Sequence, residues 1–89
     1  MSNVEVWRAE FLKFANLNCV RVYAHAPVGS MLYVLDSEEE YWYGQMSWAG
    51  GDYYVLSRIR VPDPNGVVVV EGTLPDGSKV SVKKEVTYR

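Results

Sequence analysis

The sequence predicts an all-β fold, a seven-stranded antiparallel sandwich. Apolar residues recur at alternate positions in run after run, turn residues interrupt those runs about every 8–12 positions, and the chain closes on a hairpin. That closing stretch, residues 66–88, organises the rest. Two alternating runs meet at Leu74-Pro75-Asp76-Gly77-Ser78. Proline presets φ near −65° for the first turn position, aspartate accepts the second, and glycine takes the left-handed position that a Cβ resists. Pairing Leu74 with Ser78 sets the register. Val70 then faces Val82 and Gly72 faces Val80 on one surface. Thr73 faces Lys79 and Glu71 faces Ser81 on the other, with Glu71 diagonal to Lys79 and Lys83. A slip of one residue would send Val80, Val82 and Val86 into water. Such a hairpin needs a covering layer, and the preceding residues supply it.

Eighty-nine residues suffice for one hydrophobic core and are too few for two, so residues 1–89 read as a single domain. With 48% hydrophobic and 22% charged residues, the composition is that of a folded globular domain. A net charge of −2 advertises no attraction to nucleic acid or anionic lipid. The single cysteine, Cys19, excludes an intrachain disulfide and a cysteine zinc cluster, in agreement with a reducing compartment. Residues 1–11 lack the basic start and apolar run of a signal peptide, and no apolar stretch approaches helical membrane-spanning length. These features lead us to expect cytoplasmic synthesis and no membrane partner.

Residues 3–14 admit two readings. Val4, Trp7, Phe11 and Phe14 fall at helical spacing, with Ser2 and Glu5 in the form of a capping box. Val4 and Val6, followed by a bulge and then Ala9 and Phe11, make a strand instead. We take the strand, because everything after it reads as β and a sandwich needs a first strand. Residues 19–26 alternate cleanly: Val20, Val22, Ala24 and Ala26 on one face, Cys19, Arg21, Tyr23 and His25 on the other. Pro27-Val28-Gly29-Ser30 turns the chain into a short strand, Met31 to Leu35, with Leu32 and Val34 facing the core. An acidic turn, Asp36-Ser37-Glu38-Glu39-Glu40, leads to a strand from Tyr41 to Met46, and residues 48–52 form a loop. Tyr53 to Val61 is a long strand with Tyr53, Val55, Ile59 and Val61 on one face and Tyr54, Leu56, Arg58 and Arg60 on the opposite one. Pro62-Asp63-Pro64-Asn65-Gly66 ends it, since the prolines remove ladder donors.

The succession VWRAEF, VRVYAHAP, MLYVL, GQM, GGDYYV and VPDPNGVVVVEGTLPDGSKVSV resembles an immunoglobulin-like β-sandwich, closest to the cysteine-free modules appended to microbial and viral proteins. The resemblance spans nearly the whole chain. Its motifs are Gly51-Asp52-Tyr53 ahead of one strand and the Pro75-Asp76-Gly77 hairpin between the last two. The chain departs from the antibody type in lacking the cysteine pair and the tryptophan of the third strand, where it has Tyr33. The resemblance implies a fold and no catalytic residues. Modules of this kind stiffen, space or bind, which points towards an interaction and leaves the partner open.

Aromatic surplus is the most informative functional feature. Tyr23, Tyr33, Tyr41, Trp42, Tyr43, Trp48, Tyr53 and Tyr54 exceed what so small a core can hold. In the strand at 41–46, Trp42 is expected inside, with Tyr41 and Tyr43 outside. Exposed Tyr and Trp give large, rigid contact area at low entropic cost; the bland account is that they ladder across neighbouring strands. Coplanar, the same rings would make a sugar platform. Carboxylates in the 36–40 run could converge on calcium, but the run lacks the glycine and spacing of a defined calcium loop and reads as a solvated turn. Cys19 and His25 lie on one strand face with Cα atoms about 20 Å apart, too far for a nucleophile and its base. No Ser-His-Asp set or phosphate-cradling glycine motif is present, so neither enzyme activity nor a cofactor is expected. Arg21, Arg58 and Arg60 beside Tyr23 and Tyr54 would suit single-stranded nucleic acid, which the acidic balance opposes.

The sequence therefore predicts a non-catalytic module that binds another protein or itself; the resemblance implies that it would do so as an accessory or decoration component of a larger assembly such as a virion. Tyr41, Tyr43, Trp48 and Tyr54 would be the anchors, with Arg58 and Arg60 or the turn at Glu38 and Glu40 setting orientation. A carbohydrate-binding module using the same rings is the alternative.

Overall fold

The computed structural model describes residues 4–89. These form nine strands and no helix: β1 Glu5–Phe14, β2 Leu17–His25, β3 Met31–Leu35, β4 Trp42–Gln45, β5 Ser47–Trp48, β6 Tyr53–Ile59, β7 Val67–Thr73, β8 Lys79–Glu85 and β9 Thr87–Tyr88. The expected count of seven is exceeded by two-residue strands: β5 forms where a loop was expected, and β9 beyond the hairpin. Two sheets pack as a sandwich, one ordered β5-β6-β2-β1-β9 and the other β4-β3-β7-β8. Among the described residues no helix is long and apolar enough to cross a membrane.

The closing hairpin has the expected register, with Val70 opposite Val82, Glu71 opposite Ser81, Gly72 opposite Val80 and Thr73 opposite Lys79. The Leu74 N–H donates to the Ser78 carbonyl at 2.8 Å, and Gly77 takes a φ of 90°. Asp76 closes the turn by accepting from the Ser78 N–H at 2.9 Å and from its hydroxyl. Gly72 has a second reason to be glycine. A Cβ there would stand 1.9 Å from the Met31 carbonyl oxygen of the neighbouring strand.

Residues 5–14 are a strand, and the register against β2 shifts between Val6 and Arg8 as the bulged reading requires. Ser2, the cap of the helical alternative, lies outside the described residues. The bulge lets Val4, Val6, Ala9 and Phe11 all reach the core despite their broken alternation. Opposite them Val20, Val22, Ala24 and Ala26 are buried, as are Leu32 and Val34.

In two strands the facing is the reverse of that expected. Within β4, Tyr43 is inside at 1% exposure and Trp42 outside at 57%. The register of β3 against β4 pairs Val34 with Gly44 and Leu35 with Trp42, which leaves Tyr43 as the extra, inward-turned residue. Its hydroxyl donates to the Pro62 carbonyl at 3.1 Å, so the polar tip is satisfied. Within β6, Leu56 and Tyr54 pair with Val22 and Ala24 and therefore share their core side. Tyr53 and Ile59 face outward, exposed. Arg60, with a φ of 61°, then breaks the alternation, so Val61 is buried although Ile59 is not.

Two stability outcomes follow from these contacts. Gly72→Ala forces the β3 backbone aside and should cost about 1–3 kcal/mol, the range of overpacked cores, measured by urea unfolding. The Tyr54 hydroxyl donates to the Pro27 carbonyl at 2.9 Å and accepts from the Ser30 N–H at 3.2 Å. Tyr54→Phe should therefore lower the unfolding midpoint by the equivalent of about 1–2 kcal/mol with an unchanged m-value.

Candidate functional site

The outer face of the β5-β6-β2-β1-β9 sheet is built by the residues that the core-facing alternation of its strands rejects. β2 sends Cys19, Arg21, Tyr23 and His25 outward, and β6 sends Tyr53, Val55, Ser57 and Ile59. The bulge in β1 turns Trp7 onto this same face. Trp7 then lies 5.1 Å from Tyr23 and 5.9 Å from His25, ring centre to ring centre, and His25 lies 4.7 Å from Tyr53. The four rings form a row across β1, β2 and β6, with Trp7 at 42% exposure and Tyr53 at 49%. The imidazole Nδ1 of His25 is 3.4 Å from the Asp52 carboxylate, which fixes the ring at the loop end of the row. Arg8 sits at the other rim, its guanidinium 3.0 Å from the Glu10 carboxylate.

Successive rings are tilted by 35°, 35° and 52°. A stepped row of this kind fits a contoured protein surface better than the flat face of a sugar ring.

The residues singled out from sequence do not converge. Tyr43 and Tyr54 are buried and drop out as anchors. Tyr41 stays outside, its ring edge-on to Tyr43 at 5.1 Å, beside the acidic turn. Trp48 is exposed on the edge strand β5 of the same sheet as the row, but no ring contact joins it to the row; its indole N–H donates to the Gly51 carbonyl at 2.8 Å. Arg58 pairs with Val20 on the core side of β6 and reaches towards Gly44, so it does not share a face with Arg21 and Tyr23; Arg60 ends the strand. Tyr54, inside, cannot join them either, and the arginine–tyrosine face imagined for nucleic acid does not form. Trp7 and His25 were missed as partners of Tyr23 and Tyr53. The signal was the proposed bulge itself, which moves Trp7 from the alternating pattern onto the side of Tyr23.

Glu38 and Glu40 are exposed in the acidic turn. The Asp36 carboxylate is occupied within that turn, accepting from the Glu40 N–H at 2.8 Å and the Tyr41 N–H at 3.2 Å. Among the described residues no three His, Cys, Asp or Glu side chains come together to hold a metal. Cys19 is buried on the outer side of β2, with the Ser57 hydroxyl 3.9 Å from its sulfur.

No known protein family, curated protein or solved structure matches this chain.

Glu39, at a φ of 58°, brings its side chain to Glu71 of β7. A hydrogen bond shared with Glu39, then burial and the Glu39 charge, raise the Glu71 carboxyl above the usual range. A carboxyl whose pKa is raised by folding contributes stability below its unfolded value and loses it as pH rises through the raised one. The clasp should thus hold in acid and open towards neutrality, where two carboxylates repel. Carboxyl NMR shifts and amide exchange at Glu39 and Glu40 would report this, and Glu71→Gln, able to donate to ionised Glu39, should keep the turn docked at neutral pH.

Proposed function

We propose that this domain is a non-catalytic immunoglobulin-like module that binds a protein partner, or a second copy of itself, through the ring row on the outer face of the β5-β6-β2-β1-β9 sheet. The observation that carries the reading is the row itself: Tyr23, Trp7, His25 and Tyr53 in successive ring contact on one sheet face, with Trp7 and Tyr53 half exposed. Rigid aromatics at the centre of a patch are the side chains from which interfaces draw most of their energy. Arg8, Glu5 and Asp52 supply a charged rim of mixed sign that would set orientation.

The strand order supports the immunoglobulin-like part. In that fold the first, second, fifth and fourth strands of the seven make one sheet, and the third, sixth and seventh make the other. Here β1, β2, β6 and β5 lie side by side opposite β3, β7 and β8, with β4 as an added strand beside β3. The roles of such modules are binding and spacing, and decoration of a larger assembly is one form the same surface burial would take.

Sedimentation over a concentration series separates self-association from monomer, and a photo-crosslinker at the neighbouring Glu5 captures a foreign partner from the source cells. Trp7→Ala combined with Tyr53→Ala should abolish whichever association is found, by about 100-fold or more, while the unfolding midpoint moves little. Association untouched by the double substitution would overturn the reading. A tryptophan fluorescence response to glycans, lost with Trp7, would replace it with the carbohydrate alternative.

A further inference from the structure

The second sheet ends in an open edge. β8 pairs with β7 on one side, and no strand of the described residues pairs with the other. At seven residues it is the longest open edge among the described residues; β4 has four residues and a register slip, and β5 and β9 have two each. The register says which backbone groups are free. Leu74 is hydrogen-bonded to Ser78, and Val86 donates to Gly66 at 2.8 Å, so the bonded pairs fall on every second residue between them. Val80, Val82 and Lys84 turn their N–H and C=O groups to β7, while Lys79, Ser81, Lys83 and Glu85 turn theirs outward. All of these outward residues are exposed.

Charge selects the occupant. Lys79 and Lys83 stand on the outer face of the edge about 13 Å apart, with Ser81 between them. Among the described residues no carboxylate lies within ion-pair distance of Lys79, Lys83 or Lys84. Lysines along an edge repel the same edge of a second copy, which removes the simplest self-pairing. They attract a strand of the opposite sign.

We propose that β8 is a strand-addition site for an extended segment carrying acidic residues at alternate positions. The main-chain ladder to Lys79, Ser81, Lys83 and Glu85 would give affinity, and carboxylates over Lys79 and Lys83 would give selectivity. The site is distinct from the ring row, which lies on the outer face of the opposite sheet, and stands without it.

The test uses the whole chain and two capped heptapeptides, one alternating glutamate with threonine and one alternating lysine with threonine. The glutamate peptide should shift and protect the amides of Lys79, Ser81, Lys83 and Glu85, leave the Trp7 and Tyr53 signals in place, and bind at least about tenfold tighter than the lysine peptide at low salt. Ser81→Pro removes an outward N–H without touching the β7 ladder and should weaken binding about tenfold or more. Should that variant fail to fold, Lys79→Glu with Lys83→Glu serves instead and should invert the preference between peptides. Unmoved β8 amides at millimolar peptide, equal binding of both peptides, or a concentration-dependent dimer paired through β8 would each overturn the proposal.

Discussion

The structure depends on how two tyrosines fill a core lined mostly by small side chains. Ala9, Ala24 and Ala26 together with valines from β2, β3 and β7 line most of the space between the sheets. Facing sheets stand about 10 Å apart, so short side chains alone would leave voids. Tyr43 enters from one sheet and Tyr54 from the other, and each carries its hydroxyl to a proline carbonyl, of Pro62 and Pro27. A phenol is tolerated there because its one strong donor is satisfied where the backbone turns. Burial also pushes the Tyr43 hydroxyl well above the usual tyrosine range, with the charges of Asp36 and Asp63 adding to the effect, so it stays protonated and remains a donor.

That constraint also sorts the remaining rings. Once Tyr54 is inside, alternation obliges Tyr53 to be outside, and β2 obliges Tyr23 and His25 to stand beside it. The bulge after Val6 adds Trp7. The exposed row thus follows from the interior, and it belongs to the sheet whose core face carries the alanines. The rings left on the other sheet are arranged differently: Trp42 lies 6.3 Å from Tyr33 at its margin, and Tyr41 leans on Tyr43.

Much of this was legible in the residues. The Pro75-Asp76-Gly77 turn and the valine alternation around it determined the β7–β8 register to the residue, because a slip exposes every valine at once. The bulge in β1 was readable from Val6 and Ala9, which cannot share a face without one. What could not be read was the facing of β4 and β6. Both strands carry apolar or aromatic residues on each side, so periodicity leaves two answers, and the sequence reading takes Trp42 as inside and Tyr54 as outside. The deciding facts were not local. One was the pairing of Tyr54 with Ala24, and the other the register slip that releases Tyr43. An inverted facing moves every candidate site residue on those strands, which is why Tyr43 and Tyr54 were assigned to the surface.

The same chain geometry explains why an edge is left open. After Glu85 the backbone does not fold back along β8. Val86 is buried, and β9 crosses to the other sheet to pair in parallel with β1 at Glu10 and Phe11. The crossing is held by Tyr88, packed edge-on against Phe11, and by Arg89, whose guanidinium joins Arg8 on the Glu10 carboxylate. Glu10 is 5% exposed, and a carboxylate so placed is tolerable only with its cations in position. Residues 86–89 therefore serve the opposite sheet, as a short strand and as counter-charge for Glu10, and do not run along β8.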